Sequence, residues 1–222
     1  MLFIDAQSIF DFNNLLKFNS KSSPNHLKLL SNQINNFRDK SDVYDNEYNE
    51  KIIKFHEKFK KLLNGQIYYD FNKEDFIYKK SSQKYSMKNT ASGVKQLGVL
   101  QVLLENRILK DNSFLIIDEV EVNLHPEWQL KLAEILVLLA RDLNIYVYIN
   151  SHSPQFIEAL EVYSGKYNMV NDSKFYLSDI ADSKYDFKEI IRENLAILYD
   201  NLGDCYTIID EIRGENLSKG IF

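Results

Sequence analysis

The 222 residues are 45% hydrophobic and 13% aromatic, enough to bury a real core, in a length that suits one domain with an appendage. Against 32 acidic residues stand 27 basic ones, a formal charge of −5, and no basic cluster interleaved with aromatics stands out, which argues against direct nucleic-acid binding. One cysteine, Cys205, excludes an internal disulfide framework; with no basic n-region before an apolar stretch and no run of roughly 18 uncharged apolar residues, the chain reads as cytoplasmic, without a signal peptide or membrane span.

In chain order, "SPNHLKLLSNQINNFR" (23–38) is a helical candidate opened by a Ser-Pro pair, and "SDVYDNE" reads as an exposed connection. "NEYNEKIIKFHEKFKKLLNG" (46–65) sets Ile52, Ile53, Phe55, Phe59, Leu62 and Leu63 at mostly three- and four-residue spacings and stops at Gly65, an amphipathic helix. His26 and His56 lie on these Lys-rich segments as solvated side chains. "GQIYYDFNKEDFIYKK" carries two aromatic-rich stretches around Asn72-Lys73-Glu74-Asp75, a hairpin whose aromatics pack rather than stack on a ligand. Residues 1–89 thus form a helical arm with a hairpin, and the excess acidity falls after residue 80.

From residue 90 to 222 the pattern is α/β. "ASGVKQLGVLQVLLENRILK" is a helix, "SFLIID" a nearly all-apolar strand, "PEWQLKLAEILVLLARDL" a largely buried helix with Trp128 as an anchor, and "NIYVYIN" a second strand. Strand, helix, strand implies a parallel sheet covered by helices. Ligands gather beyond the carboxyl ends of such strands, where Asp118 and Glu119 project. An apolar strand ending in two carboxylates suits a nucleotide hydrolase, the first acid holding Mg²⁺ and the second orienting water; the same pattern also fits a strand that simply ends in solvent. At the end of the next strand stands His152, before a helix that Ser153 caps and Pro154 begins. Ser92 and Gly93 open the earlier helix, Ser92 as its cap, where free backbone N–H groups suit a phosphate.

Over residues 90–160 the sequence resembles the ABC-type ATPases of the SMC-like and OLD-like branch: "SGVKQ" is similar to the signature motif, "FLIIDE" to the Walker B strand, "VNLHP" to the D-loop and "SHSPQF" to the switch-histidine loop. The tail, "KFYLSDIADSKYDFKEIIRENLAILYDNL", resembles the C-terminal helical end of such proteins. The resemblance implies that Asp118 holds Mg²⁺, that Glu119 polarises the hydrolytic water, and that His152 contacts the γ-phosphate of ATP. It places Ser92 and Gly93, with Lys95 and Gln96 of the same motif, against ATP held by a second subunit in a head-to-tail dimer, with Asn123 and His125 at that interface. Val120 stands where the family has Pro, which leaves the local turn open.

A phosphate-cradling G-x-x-x-x-G-K-[ST] is absent from the 222 residues: only Gly165 precedes a lysine, with Leu160 and Tyr167 where Gly and Ser or Thr belong. The expectation is a partial P-loop NTPase, the C-terminal part of an ATPase domain, inactive alone and completed by a homodimer or a second ATPase chain supplying Walker A. Such a sheet would expose an edge. The competing expectation is a non-catalytic interaction module that docks a partner ATPase or a nuclease; a weaker third is a metal-dependent nuclease using Asp118, Glu119 and Glu121.

Overall fold

The computed structural model describes residues 2–4, 9–11, 24–36, 46–181, 184–198 and 210–214. The chain divides into two compact units, Met1–Ser151 and His152–Phe222. In the first, β1 (Leu2–Ile4) and a helical stretch at 9–11 are followed by α1 (Asn25–Ile34), α2 (Asn46–Leu63), β2 (Gln66–Asp70), β3 (Asp75–Lys80), β4 (Gln83–Ser86), α3 (Ser92–Glu105), β5 (Phe114–Ile117), α4 (Pro126–Leu143) and β6 (Tyr146–Ile149).

Strands β1, β5 and β6 form a parallel sheet in that order, with Leu115 facing Leu2 on one side and Val147 on the other. β5 is therefore central. Its Leu115 and Ile117 are buried, as parallel strands require when helices cover them. The cover comes from α3 and α4, whose Leu97, Leu100, Leu103, Leu132, Ile135 and Leu139 are all buried; each such side chain contributes about 1.5–3 kcal/mol of transfer free energy. β1 escapes a sequence reading because three residues carry no periodicity, yet it extends the sheet with a strand from the N-terminal segment. Among the described residues β6 is an edge, with Tyr146 and Tyr148 exposed.

The hairpin expected around residues 72–75 is present as β2 and β3, and β4 joins them in an antiparallel sheet that the polar sequence of 83–86 did not announce. Two helix ends differ from expectation. α3 stops at Glu105 rather than Lys110, because Arg107 takes a left-handed conformation (φ 56°) and the buried Asn106 turns its amide to the Gln33 and Ile34 carbonyls, 2.9 Å each, closing the end of α1. α1 itself ends at Ile34, and residues 37–45 lie outside the described set.

His56 is not simply solvated. Its Nδ1 lies 3.0 Å from Glu105 Oε1, joining α2 to α3, and the hydrogen bond to Glu105 raises its pKa against the opposing pull of burial. A raised folded pKa means that this pair contributes its full stability below the unfolded value of about 6.5 and loses it as pH rises through the folded value. We expect the melting temperature to fall across that window in the native chain and not in Glu105→Gln, measured by thermal melts at matched ionic strength.

The second unit runs from α5 (Pro154–Lys166) to an antiparallel pair, β7 (Phe175–Ala181) and β8 (Lys184–Ile190), followed by a short 3-10 turn, Arg192–Asn194. Ile190, Leu195 and Leu198 form its small core with Ile157, Phe175 and Leu177. This corrects the expectation of a helical tail: Phe175 and Leu177 alternate with the exposed Tyr176, a period of two that selects strand. No helix among the described residues is long and apolar enough to cross a membrane.

Candidate nucleotide site at the end of the central strand

Asp118 is the first residue beyond β5, half-buried, its N–H donating to the Ile4 carbonyl (3.2 Å) and continuing the β1 ladder. Across the other edge, the Asn150 N–H donates to the Ile117 carbonyl (3.1 Å), and the Asn150 side chain turns back to donate to Asp118 Oδ1 (3.0 Å). One carboxylate oxygen is thus oriented by an amide, while Oδ2 meets no donor among the described residues. Asn150 was missed in the sequence; its signal is the parallel register, which pairs Ile117 with Ile149 and brings the next residues of both strands together.

Glu119 follows with φ 45°, a left-handed backbone unusual for a residue with a side chain, and its carbonyl accepts from Val122 N–H (3.1 Å). The chain leaves the strand through a tight turn in which Val120 is buried and Glu119 exposed. Val120 in place of Pro is therefore compatible with an ordered turn, its side chain serving as an apolar anchor.

The start of α3 packs against this turn and the loop after it. Gln96 Nε2 donates to the Val120 carbonyl (3.0 Å), and the Ser92 hydroxyl donates to the Asn123 carbonyl at a residue whose φ is 60°. Ser92 does not cap α3: the N-cap is Ala91, and Ser92 lies inside the helix with its hydroxyl committed to the loop. A Cβ on Gly93 would sit 2.5 Å from Cδ2 of Trp128, so the indole of α4 lies flat against glycine backbone. Lys95 pairs with Asp11 at 2.7 and 2.9 Å. His125 caps α4, its Nδ1 accepting from Glu127 N–H at 3.3 Å, and both it and Asn123 are exposed.

Gln96 Oε1 is buried without a partner while its Nε2 holds Val120. Gln96→Glu would replace that donor with an oxygen facing a carbonyl. We expect about 1–3 kcal/mol of destabilisation, read as a lower denaturant midpoint with unchanged slope.

A single half-buried carboxylate with one free oxygen suits Mg²⁺, which keeps waters and takes one or two carboxylates alongside substrate phosphates. Among the described residues no three His, Cys, Asp or Glu side chains gather as a protein-made metal cage. His152 opens the second unit; it is exposed, and Ser153 behind it accepts from Phe156 N–H (3.2 Å) with Pro154 at the first position of α5, as expected.

Residues 5–157, more than half of the chain, match the family described as "AAA ATPase domain". The chain belongs to the AAA ATPase domain family. The ATPase ancestry read from residues 90–160 is borne out by that match. No curated protein matches. Among solved structures, this AAA ATPase domain is similar to the Pyrococcus furiosus Smc head domain bound to the C-terminal domain of ScpA (15% identity, 74% of this chain and 38% of that one, TM-score 0.45). It is also similar to a chain from work on ATP-driven dimerization and DNA-stimulated activation of SMC ATPases (15%, 78% and 98%, 0.47), and to the Pyrococcus yayanosii Smc head domain with a coiled coil and joint (16%, 68% and 29%, 0.48). It spans under two fifths of the first of these. The family assignment rests on the match over residues 5–157 alone.

Proposed function

We propose that this AAA ATPase domain binds ATP with Mg²⁺ and hydrolyses it when a phosphate-cradling loop is supplied from outside these 222 residues. The observation that supports this reading is the end of β5: Asp118 oriented by Asn150, with Glu119 turned out beside it. Asp118 would hold Mg²⁺, which when bound neutralises phosphate charge. Glu119 would orient and polarise the water whose oxygen attacks the γ-phosphorus as the β–γ bridging oxygen leaves. By resemblance His152 would contact the γ-phosphate, and Ser92, Asn123 and His125 would face the nucleotide and surface of a second subunit in a head-to-tail dimer, with Gly93 against the Trp128 indole, Lys95 on Asp11 and Gln96 on the Val120 carbonyl shaping the surface behind them.

Catalysis of this class is positioning and charge stabilisation, so the loop that holds the β- and γ-phosphates is indispensable. The test is steady-state ATP turnover in the presence of a segment carrying G-x-x-x-x-G-K-[ST], native against Asp118→Asn. Turnover lost in the variant supports the reading. Turnover equal in both, or absent from the native mixture, contradicts it and favours the module that docks a partner ATPase or nuclease without chemistry.

A further inference from the structure

We infer that Asn64-Gly65, at the end of α2, is a self-modifying site: its side-chain amide is converted to aspartyl and isoaspartyl linkages, and the last turn of α2 sets the rate. Of all the asparagines in the 222 residues, only Asn64 is followed by glycine. The chemistry needs no enzyme. The Gly65 backbone nitrogen gives its proton to solvent and attacks Asn64 Cγ; a five-membered succinimide forms as the side-chain nitrogen takes up a proton and leaves as ammonia. Water then opens the ring at one of its two carbonyls. Opening at Cγ gives aspartate, and opening at the main-chain carbonyl gives isoaspartate, in which the chain runs through the side-chain carbon. Glycine favours the attack because no Cβ shields its nitrogen.

In the folded chain that nitrogen is occupied. Asn64 stands left-handed (φ 50°), its N–H donating to the Lys61 carbonyl and the Gly65 N–H donating to the Lys60 carbonyl, 3.2 Å each, the pairing that terminates a helix through a left-handed residue. Asn64 is exposed, so water reaches its side chain while the attacking group is held. Reaction therefore waits for the turn to open, and helix ends are among the parts of a fold that open most readily. One contact opposes the opening: the Tyr78 hydroxyl donates to the Leu63 carbonyl at 2.6 Å and ties the last helical residue to β3.

The same junction makes the change hard to reverse. A Cβ on Gly65 would lie 2.5 Å from Tyr78 Cε2 and 2.6 Å from the Lys79 carbonyl oxygen, so the backbone passes here with no spare space. Isoaspartate adds a methylene to the main chain immediately before that point, and the turn can no longer make both of its hydrogen bonds in register. The new carboxylate also faces a helix C-terminus, whose partial charge is negative, although Lys60 and Lys61 on the same turn offset it. The extra methylene is the larger effect. Because α2 is joined to α3 through His56 and Glu105, modification releases its end from β3 and leaves its body in place.

The experiment is incubation of the full chain in mildly alkaline buffer made with heavy-oxygen water, followed by peptide mapping with fragmentation that separates aspartate from isoaspartate. Residue 64 should take up heavy oxygen well ahead of Asn112 and Asn150, each followed by serine and each with its side-chain amide bound to an aspartate. Conversion should run at least about tenfold slower in the folded chain than in urea. Tyr78→Phe should speed the folded reaction about twofold to tenfold. The isoaspartyl chain should melt at least about 2 °C below the native one, whereas Asn64→Asp, with the charge and without the extra methylene, stays closer to native. If Tyr78→Phe does not fold by circular dichroism, deuterium exchange at the Gly65 N–H reads the same opening, and conversion must not outrun it. No uptake at residue 64, equal rates folded and in urea, no effect of Tyr78→Phe, or an isoaspartyl chain that melts with the native one would each overturn the inference.

Discussion

Glu119→Gln is expected to abolish ATP turnover by about 10²- to 10⁴-fold while Mg²⁺-ATP binding survives, once the phosphate loop is supplied. The side chain is exposed at the end of a strand whose backbone is fixed on both sides, by Ile4 and by Asn150. Substitution by an amide of the same shape leaves those backbone contacts alone and removes the proton acceptor. Its backbone is held left-handed by the turn, a conformation Gln adopts as readily as Glu, so the turn itself should survive the substitution. Single-turnover kinetics beside calorimetric binding separates the two effects. Loss of binding in parallel with turnover would mean that Glu119 contributes to ATP affinity or to the turn, and the base would have to be sought elsewhere.

Gly93→Ala is expected to destabilise the domain by about 1–3 kcal/mol, the usual cost of overpacking. For a chain of this length that lowers the melting temperature by about 2–4 °C per kcal/mol. The added methyl meets Cδ2, Cγ and Cε3 of Trp128 at 2.5, 2.6 and 2.8 Å, atoms near the root of the ring that cannot swing aside as a flexible tip would. In a Trp128→Leu background the sign should reverse, because alanine inside a helix is better than glycine by about 1 kcal/mol once the indole is gone. That reversal distinguishes packing from a glycine kept only so that a phosphate can approach, for which Gly93→Ala would be harmless to stability in both backgrounds.

The elements that sequence reading captured are those whose ends carry chemistry. α4 is bounded by Pro126 and Asn144, the latter left-handed at φ 51°, and its apolar stripe spans the whole length. β5 and β6 are short β-rich runs flanked by polar residues, and their parallel pairing follows from the intervening helix. β4 was invisible because Gln-Lys-Tyr-Ser has neither alternation nor apolar content; it forms by pairing to β3. The tail misled because Phe175 and Leu177 fit either a helical or a strand period until β8 supplies a partner.

At the site, Asp118 and Glu119 were legible as an apolar run broken by two acids. Asn150, Gln96 and Trp128 act through contacts with residues 24–35 positions away in the chain, and those contacts exist only once the parallel sheet and its covering helices are assembled.

The most direct test of the central claim is a calorimetric titration of Mg²⁺-ATP into the chain, alone and then with a polypeptide carrying the phosphate loop. Binding that appears only with the second polypeptide, and that weakens in Asp118→Asn, is the expected result: the end of β5 is then one half of an ATP site. Absence of binding in both titrations would contradict it and leave Asp118, Asn150 and Glu119 as the ordered end of a strand with no nucleotide to hold.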